Sequence, residues 1–335
     1  MPFRELQGHR HLLELLSGAV SRASLSPSLI FAGPDGVGKR KAAVGLAQLL
    51  SCSSLVQADG IGLDACGTCA SCTRIARGVH ADVLLIQPGD SGNIKLDQIR
   101  DAIDKSAYRP FEGRKRVVIV DEADALIVEA QNALLKTLEE PPSASMFVLV
   151  TSRPDVLLPT VRSRCQRLRF GRLEPGEVAT VLSRDHGYSE AEARAAASSS
   201  DGSVSSALAG GSEDFVEARA AAASLLERVA SSSDPRRRID SAKLLMGRGA
   251  GADRDELTCR LLALASLLRD LGLLLSGADE RYLANTDLKP LLGGLTKAFD
   301  ADRTVSAFSA VDKAVTALER NASPKIVADW LAFQL

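Results

Sequence analysis

Residues Val117–Cys165, VVIVDEADALIVEAQNALLKTLEEPPSASMFVLVTSRPDVLLPTVRSRC, decide the fold. Two apolar runs too short for helices, Val117–Val120 and Met146–Thr151, flank a segment of helical period. Asp121 and Glu122 end the first run, and Arg164 lies beyond the second. Further candidate strands are Leu29–Ala32 and Asp82–Gln87, each separated from the next by helical patterns. Short buried strands alternating with helices predict an α/β parallel sheet covered on both faces.

Upstream, SLIFAGPDGVGKRKAAVGLAQLL (Ser28–Leu50) sets Gly33, Gly36, Val37, Gly38 and Lys39 between a strand and a helix. The pattern matches the phosphate-binding loop G-x-x-x-x-G-K-[ST] up to its last position, which is Arg40. Glycines let backbone amides turn toward phosphate oxygens, the helix N-terminus adds partial positive charge, and the lysine reaches the terminal phosphates. The missing hydroxyl normally ligates Mg²⁺. The sequence therefore leaves ATP or ADP binding open and the metal badly provided for. Asp121, at a strand's C-terminal edge, suits Mg²⁺ directly or through water, and Glu122 suits polarising a water or being a plain loop acid. Asp124 reads as helix N-terminal charge.

Cys52, Cys66, Cys69 and Cys72 form C-x13-C-x2-C-x2-C, a spacing that can aim four thiolates at one structural Zn²⁺. They belong to an insertion (about residues 52–72) after the phosphate-loop helix. The competing reading is reduced thiols in a surface loop. Cys165 and Cys259 read as packed residues.

At 335 residues the chain exceeds one core, so two or three domains are expected. With 41 basic and 42 acidic side chains, bulk charge excludes a protein that grips nucleic acid mainly by its field. The N-terminal stretch has no signal-peptide core, and the apolar run Leu257–Leu275 contains Arg260, Arg269 and Asp270. A cytoplasmic protein without membrane spans is expected. Residues 1–168 form the sheet domain. Residues 169–211 lack strand signals, with helix starts near Glu174 and Ser189, a break at Asp201 and Gly202, and read as a small helical lid. Residues 212–335 are helical throughout, with loops at Ser-rich patches such as Ser231–Ser233.

The runs GVHADVLLIQP, IKLDQIRDAIDKSAYRPFEGRKRVVIVDEADAL, NALLKTLEEPP and Ser163-Arg164-Cys165 resemble bacterial clamp-loader subunits of DNA polymerase III, above all the delta prime family. The resemblance covers nearly the whole chain. It implies an ATPase module of the AAA+ type, a lid and a C-terminal collar joining five subunits into a ring. The implied partners are gamma/tau motor subunits, a delta subunit, the beta sliding clamp, and primer-template DNA reached through the assembled complex. By the same resemblance Asp121 and Glu122 match the Walker B acids, Thr151 (with Ser152) the sensor ending the next strand, and Arg164 an arginine finger acting in trans. A salt bridge among neighbouring arginines is the plain alternative for Arg164.

Two departures from motor subunits stand out: Arg40 replaces the hydroxyl, and Ser205 stands where the lid pattern G-S-L-R-D-A-L has arginine. They predict weak hydrolysis in a non-motor, stator-like subunit that supplies Arg164 to a neighbour. The alternatives are an ATP-hydrolysing motor subunit or other AAA+ ATPase, and a zinc-dependent DNA-binding module. The last fits poorly, since Ser51–Gly78 offers only Arg74 and Arg77 and no aromatics. The helix from Leu96 could present amides to a phosphate or be plainly amphipathic.

Overall fold

The computed structural model describes residues 1–89, 91–208, 211–231, 234–246, 254–279, 282–319 and 322–335. Two residues of the Ser231–Ser233 patch, Ser232 and Ser233, lie outside them. The chain divides into two compact units, Met1–Leu173 and Glu174–Leu335.

The first unit is built on a five-stranded sheet of β1 (Ser28–Ala32), β4 (Val83–Ile86), β5 (Arg116–Val120), β6 (Ser145–Thr151) and β7 (Gln166–Arg169). All pairs are parallel, in the order β4-β5-β6-β1-β7, with Ile30 opposite Leu149 and Val118 opposite Phe147. β1 and β6 are buried along their whole length, which is why they read as continuous apolar runs rather than alternating ones. One face packs on α1 (Arg10–Ser21) and α2 (Lys39–Ser51) through Phe31, Leu46, Leu49 and Val148. The other face packs on α4 (Leu96–Ser106) and α5 (Val128–Glu139) through Ile99, Leu134, Phe147 and Leu149. α4 buries Ile99 and Ala102, the behaviour of an amphipathic helix.

In this sheet the four expected strands lie within one residue of their expected positions, and a fifth, β7, is added. β7 escapes the pattern because QRLR carries only one apolar residue, as an edge strand permits. The domain boundary expected at 168 therefore falls inside β7, whose hydrogen bonds hold it to the sheet as far as Phe170, whose amide donates to Ala32 O. Between α2 and α3 (Ala70–Ala76) comes the insertion, with a two-stranded hairpin of β2 (Val56–Ala58) and β3 (Gly62–Asp64).

Among its described residues the second unit consists of helices and the turns between them, with no strand. α7 (Pro175–His186) and α8 (Glu190–Ser199) start at Glu174 and Ser189, as the sequence predicts. Ser189 caps α8 reciprocally with Glu192. Asp201 and Gly202 both take positive φ (52° and 75°) and break the chain before α9 (Val204–Leu208). α10 (Gly211–Ser231), α12 (Arg254–Leu275) and α14 (Ala301–Glu319) pack together, burying Leu226, Leu261, Leu264, Leu268 and Val311. The buried charges Asp270 and Arg260 of α12 are satisfied: Asp270 pairs with Arg269 (2.9 Å) and accepts from the amides of Ala284 (2.9 Å) and Asn285 (2.7 Å), and Arg260 meets Glu256. No helix among the described residues is long and apolar enough to cross a membrane.

Candidate functional site

Because the strands run parallel, everything that follows a strand gathers at one edge of the sheet, the usual place for ligands in such folds. Three of those strands carry the predicted groups: β1 the glycine loop, β5 Asp121 and Glu122, and β6 Thr151.

Each glycine of the loop has its own reason. A Cβ on Gly33 would stand 2.2 Å from Phe170 O, so packing against the end of β7 excludes a side chain. Gly36 and Gly38 adopt φ of 73° and 97°, which L-residues rarely reach. Val37 is buried, and the ring of His9, a residue the sequence did not flag, lies 2.9 Å from its carbonyl. The first intrahelical bond of α2 runs from Ala42 N to Gly38 O, which leaves the amides of Lys39, Arg40 and Lys41 facing outward from the helix start. Lys39 is buried, and its ammonium donates to Gly33 O (2.7 Å) and Pro34 O (2.5 Å) with Asp35 at 3.5 Å. Burial lowers its pKa, against the pull of Asp35, Asp121 and Asp124. Loop, helix start and lysine together suit a polyphosphate.

The metal ligands fit less well. Arg40 turns its Nη1 to within 3.3 Å of Asp121 Oδ2, so the acid's nearest cation comes from the chain itself. Burial raises the Asp121 pKa, while Arg40, the Glu122 amide and Lys39 oppose that rise. A guanidinium offers donors only and cannot ligate Mg²⁺. Glu122 is exposed and held at φ 51°, a left-handed conformation uncommon outside glycine.

Asp124 differs from its expected role. It lies in a single 3-10 turn, Ala123–Ala125, before α5 begins. There its carboxylate accepts from Thr151 Oγ1 (2.8 Å) and from Arg153 Nε and Nη2 (3.0 and 2.9 Å). Burial works to raise its pKa, but the Thr151 hydroxyl and Arg153 hold it below the usual carboxylate range. The end of β6 is thereby locked to the turn after β5. Arg153 was legible only as a neighbour of Thr151.

Arg164 lies between α6 (Pro159–Arg162) and β7. Leu29 pairs with Gln166, so the residues just before β7 lie at the opposite edge of the sheet from the glycine loop. A five-residue strand separates the two edges, roughly 16 Å. The guanidinium is about one-third exposed; it contacts Glu139 (3.2 Å) and donates to Thr160 O (3.1 Å), while Arg162 pairs with Asp155. The partner of Arg164 is thus an acid on α5. Cys165 packs against the core, and burial pushes its thiol up to about 12. Ser205 is exposed on α9.

The four cysteine sulfurs lie within 4.8 Å of one another, with Cys52 and Cys69 at 3.9 Å. Four thiolates at about 2.3 Å from a tetrahedral zinc would be roughly 3.8 Å apart, so the donor set fits. Amides already serve the sulfurs: Cys66 N donates to Cys52 Sγ (3.3 Å) and Cys69 N to Cys66 Sγ (3.2 Å). Burial raises Cys52 and Cys72; at Cys69 burial is outweighed by hydrogen bonds from the Cys72 amide and Ser53, bringing it down to about 6. Buried Asp64 anchors the insertion by accepting from the amides of Phe3 and Arg4, and Gln48 of α2 donates to Cys72 O.

Residues 8–174 match the family model described as DNA polymerase III, delta subunit. A DNA polymerase III subunit delta' of Bacillus subtilis is 34% identical over 216 residues, 64% of this chain and 63% of that protein. The chain belongs to the clamp-loader subunits of DNA polymerase III. Within the family, similarity to gamma/tau is equally high: the Mycobacterium tuberculosis H37Rv subunit is 34% identical over 182 residues, 54% of this chain. The chain spans about a third (31%) of that relative's length. Among solved structures, a gamma subunit-related protein of Thermotoga maritima aligns with 96% of this chain and 97% of its own at 20% identity, TM-score 0.43.

Proposed function

We propose that this chain is a non-motor, delta prime-like subunit of the clamp loader that lends Arg164 in trans to a neighbouring motor subunit's ATP site during replication. The observation that carries this reading is the position of Arg164 at the sheet edge remote from the chain's own phosphate loop. A permanently charged, forked guanidinium suits charge developing on a transferring phosphate, and from that edge it suits a neighbour's. The contact between Arg40 and Asp121 supports the second half of the reading, weak hydrolysis at the chain's own site. On this reading the assembly is a hetero-oligomeric ring with gamma/tau and delta subunits, acting on the beta clamp and primer-template DNA. Residues 174–211 act as lid and 212–335 as collar, Thr151 is the sensor, Asp121 and Glu122 are vestigial Walker B acids, and Cys52, Cys66, Cys69 and Cys72 hold a structural zinc.

A second reading, a gamma/tau-like motor, is favoured by the equal likeness to those subunits and by the retained Asp121, Glu122 and Thr151. Turnover by the isolated full chain separates the two. Near-zero Mg²⁺-dependent hydrolysis is expected; brisk hydrolysis abolished by Lys39→Ala would establish the motor.

A further inference from the structure

The phosphate loop is well formed, yet the metal it would ordinarily share with Asp121 does not fit. Mg²⁺ requires oxygen ligands in near-octahedral arrangement. The position after Lys39 supplies a guanidinium in place of a hydroxyl, and its Nη1 stands 3.3 Å from the acid that would face the ion. A dication approaching Asp121 meets a fixed positive charge already paired with it. We propose that this chain binds a nucleoside di- or triphosphate without a divalent cation, with the Arg40 guanidinium serving as the countercharge between Asp121 and the phosphate oxygens.

Arg40 has the chemistry for both contacts. Its five N–H donors form a planar fork, so one edge can stay on Asp121 while another faces phosphate. About half of the Arg40 side chain is exposed, whereas that of Asp121 is nine-tenths buried, so the arginine stays open to a ligand while its acid partner does not. Lys39 lies beside it, and the outward-facing amides of Lys39, Arg40 and Lys41 add the helix N-terminal field. Asp124 adds little repulsion, because Arg153 and Thr151 hold its carboxylate. Such a site retains nucleotide and lacks the ion that neutralises charge during phosphoryl transfer, which deepens the reading of a non-hydrolysing subunit and rests on it.

The test is isothermal titration of the full chain with ADP and with ATP, in Mg²⁺ and in EDTA. The wild-type dissociation constant is expected to change less than roughly threefold between the two conditions, and Arg40→Lys, which keeps the charge without the fork, to bind more weakly while staying equally indifferent to the cation. Arg40→Ser is expected to make binding cation-dependent by roughly tenfold or more, with a protein-dependent change in the Mn²⁺ resonance spectrum of bound Mn·ATP that wild type lacks. Loss of wild-type binding in EDTA, no binding of either nucleotide, or an Arg40→Ser protein indifferent to the cation would overturn the proposal. Absence of binding leaves the trans role of Arg164 standing, whereas brisk Mg²⁺-dependent hydrolysis by the wild type sinks both.

Discussion

Replacing Asp82 by Asn tests the energetics of the sheet domain most quantitatively. Asp82 precedes β4, is fully buried, and fills both oxygens. Oδ1 accepts from Phe111 N (2.7 Å) and Arg116 Nη2 (3.0 Å), and Oδ2 from Glu112 N and Gly113 N (both 2.9 Å). In Asn one of those oxygens becomes an NH₂ group, so whichever way the amide lies, two donors face a donor. At about 1–3 kcal/mol per buried unsatisfied donor, the loss is roughly 3 kcal/mol. In a unit of this size that lowers Tm by about 6–12 °C. Burial would raise the Asp82 pKa, but the three amides and Arg116 outweigh it and hold the carboxyl at about 2, against an ordinary 3.8. A depressed carboxylate stabilises above its unfolded value and loses that contribution as pH falls through the folded one. Wild type's advantage over the variant should therefore shrink by about 1 kcal/mol between pH 5 and pH 3. Thermal and urea unfolding at several pH values supplies the assay. The disturbance should reach the insertion, because Glu112 of the clamped loop pairs with Arg74 of α3 (2.6 Å) and contacts His80 (3.1 Å). A shift under about 2 °C at pH 7, or a gap indifferent to pH, would refute the reasoning.

Cys69→Ala should release about one zinc per chain, measured by elemental analysis, and speed proteolysis of the insertion; a metal-free wild type of equal stability would contradict this. Removing residues 212–335 should abolish co-purification with motor subunits while the sheet domain keeps its spectrum, and retained assembly would refute the collar role. Turnover by the isolated chain should be near zero.

Much of the fold was legible because its strands are fully buried. Runs such as Ile119–Val120 and Phe147–Val150 have no second identity once flanking helices of period 3.6 are seen. Helix starts at Glu174 and Ser189 were legible as local capping chemistry. β7 was not, since an edge strand needs little apolar surface. The hairpin β2–β3 was not either, since six short and partly exposed residues give no period. At the site, the glycines, lysine and acids are written in linear spacing, but the pairing of Arg40 with Asp121 spans 80 residues of chain and appears only once β5 and β1 are set in one sheet. The same holds for Asp124, which local sequence assigns to a helix start and the sheet assigns to Thr151 and Arg153. His9 carries no signal at all, being a lone imidazole that reaches the loop through the fold.

The most direct test of the account replaces Arg164 by Ala in a reconstituted ring with gamma/tau and delta subunits and measures clamp- and DNA-stimulated ATPase. Assembly is expected to stay intact, with the rate at the served motor site reduced by about 10³ to 10⁵. Unchanged stimulated hydrolysis in a fully assembled Arg164→Ala complex would contradict this.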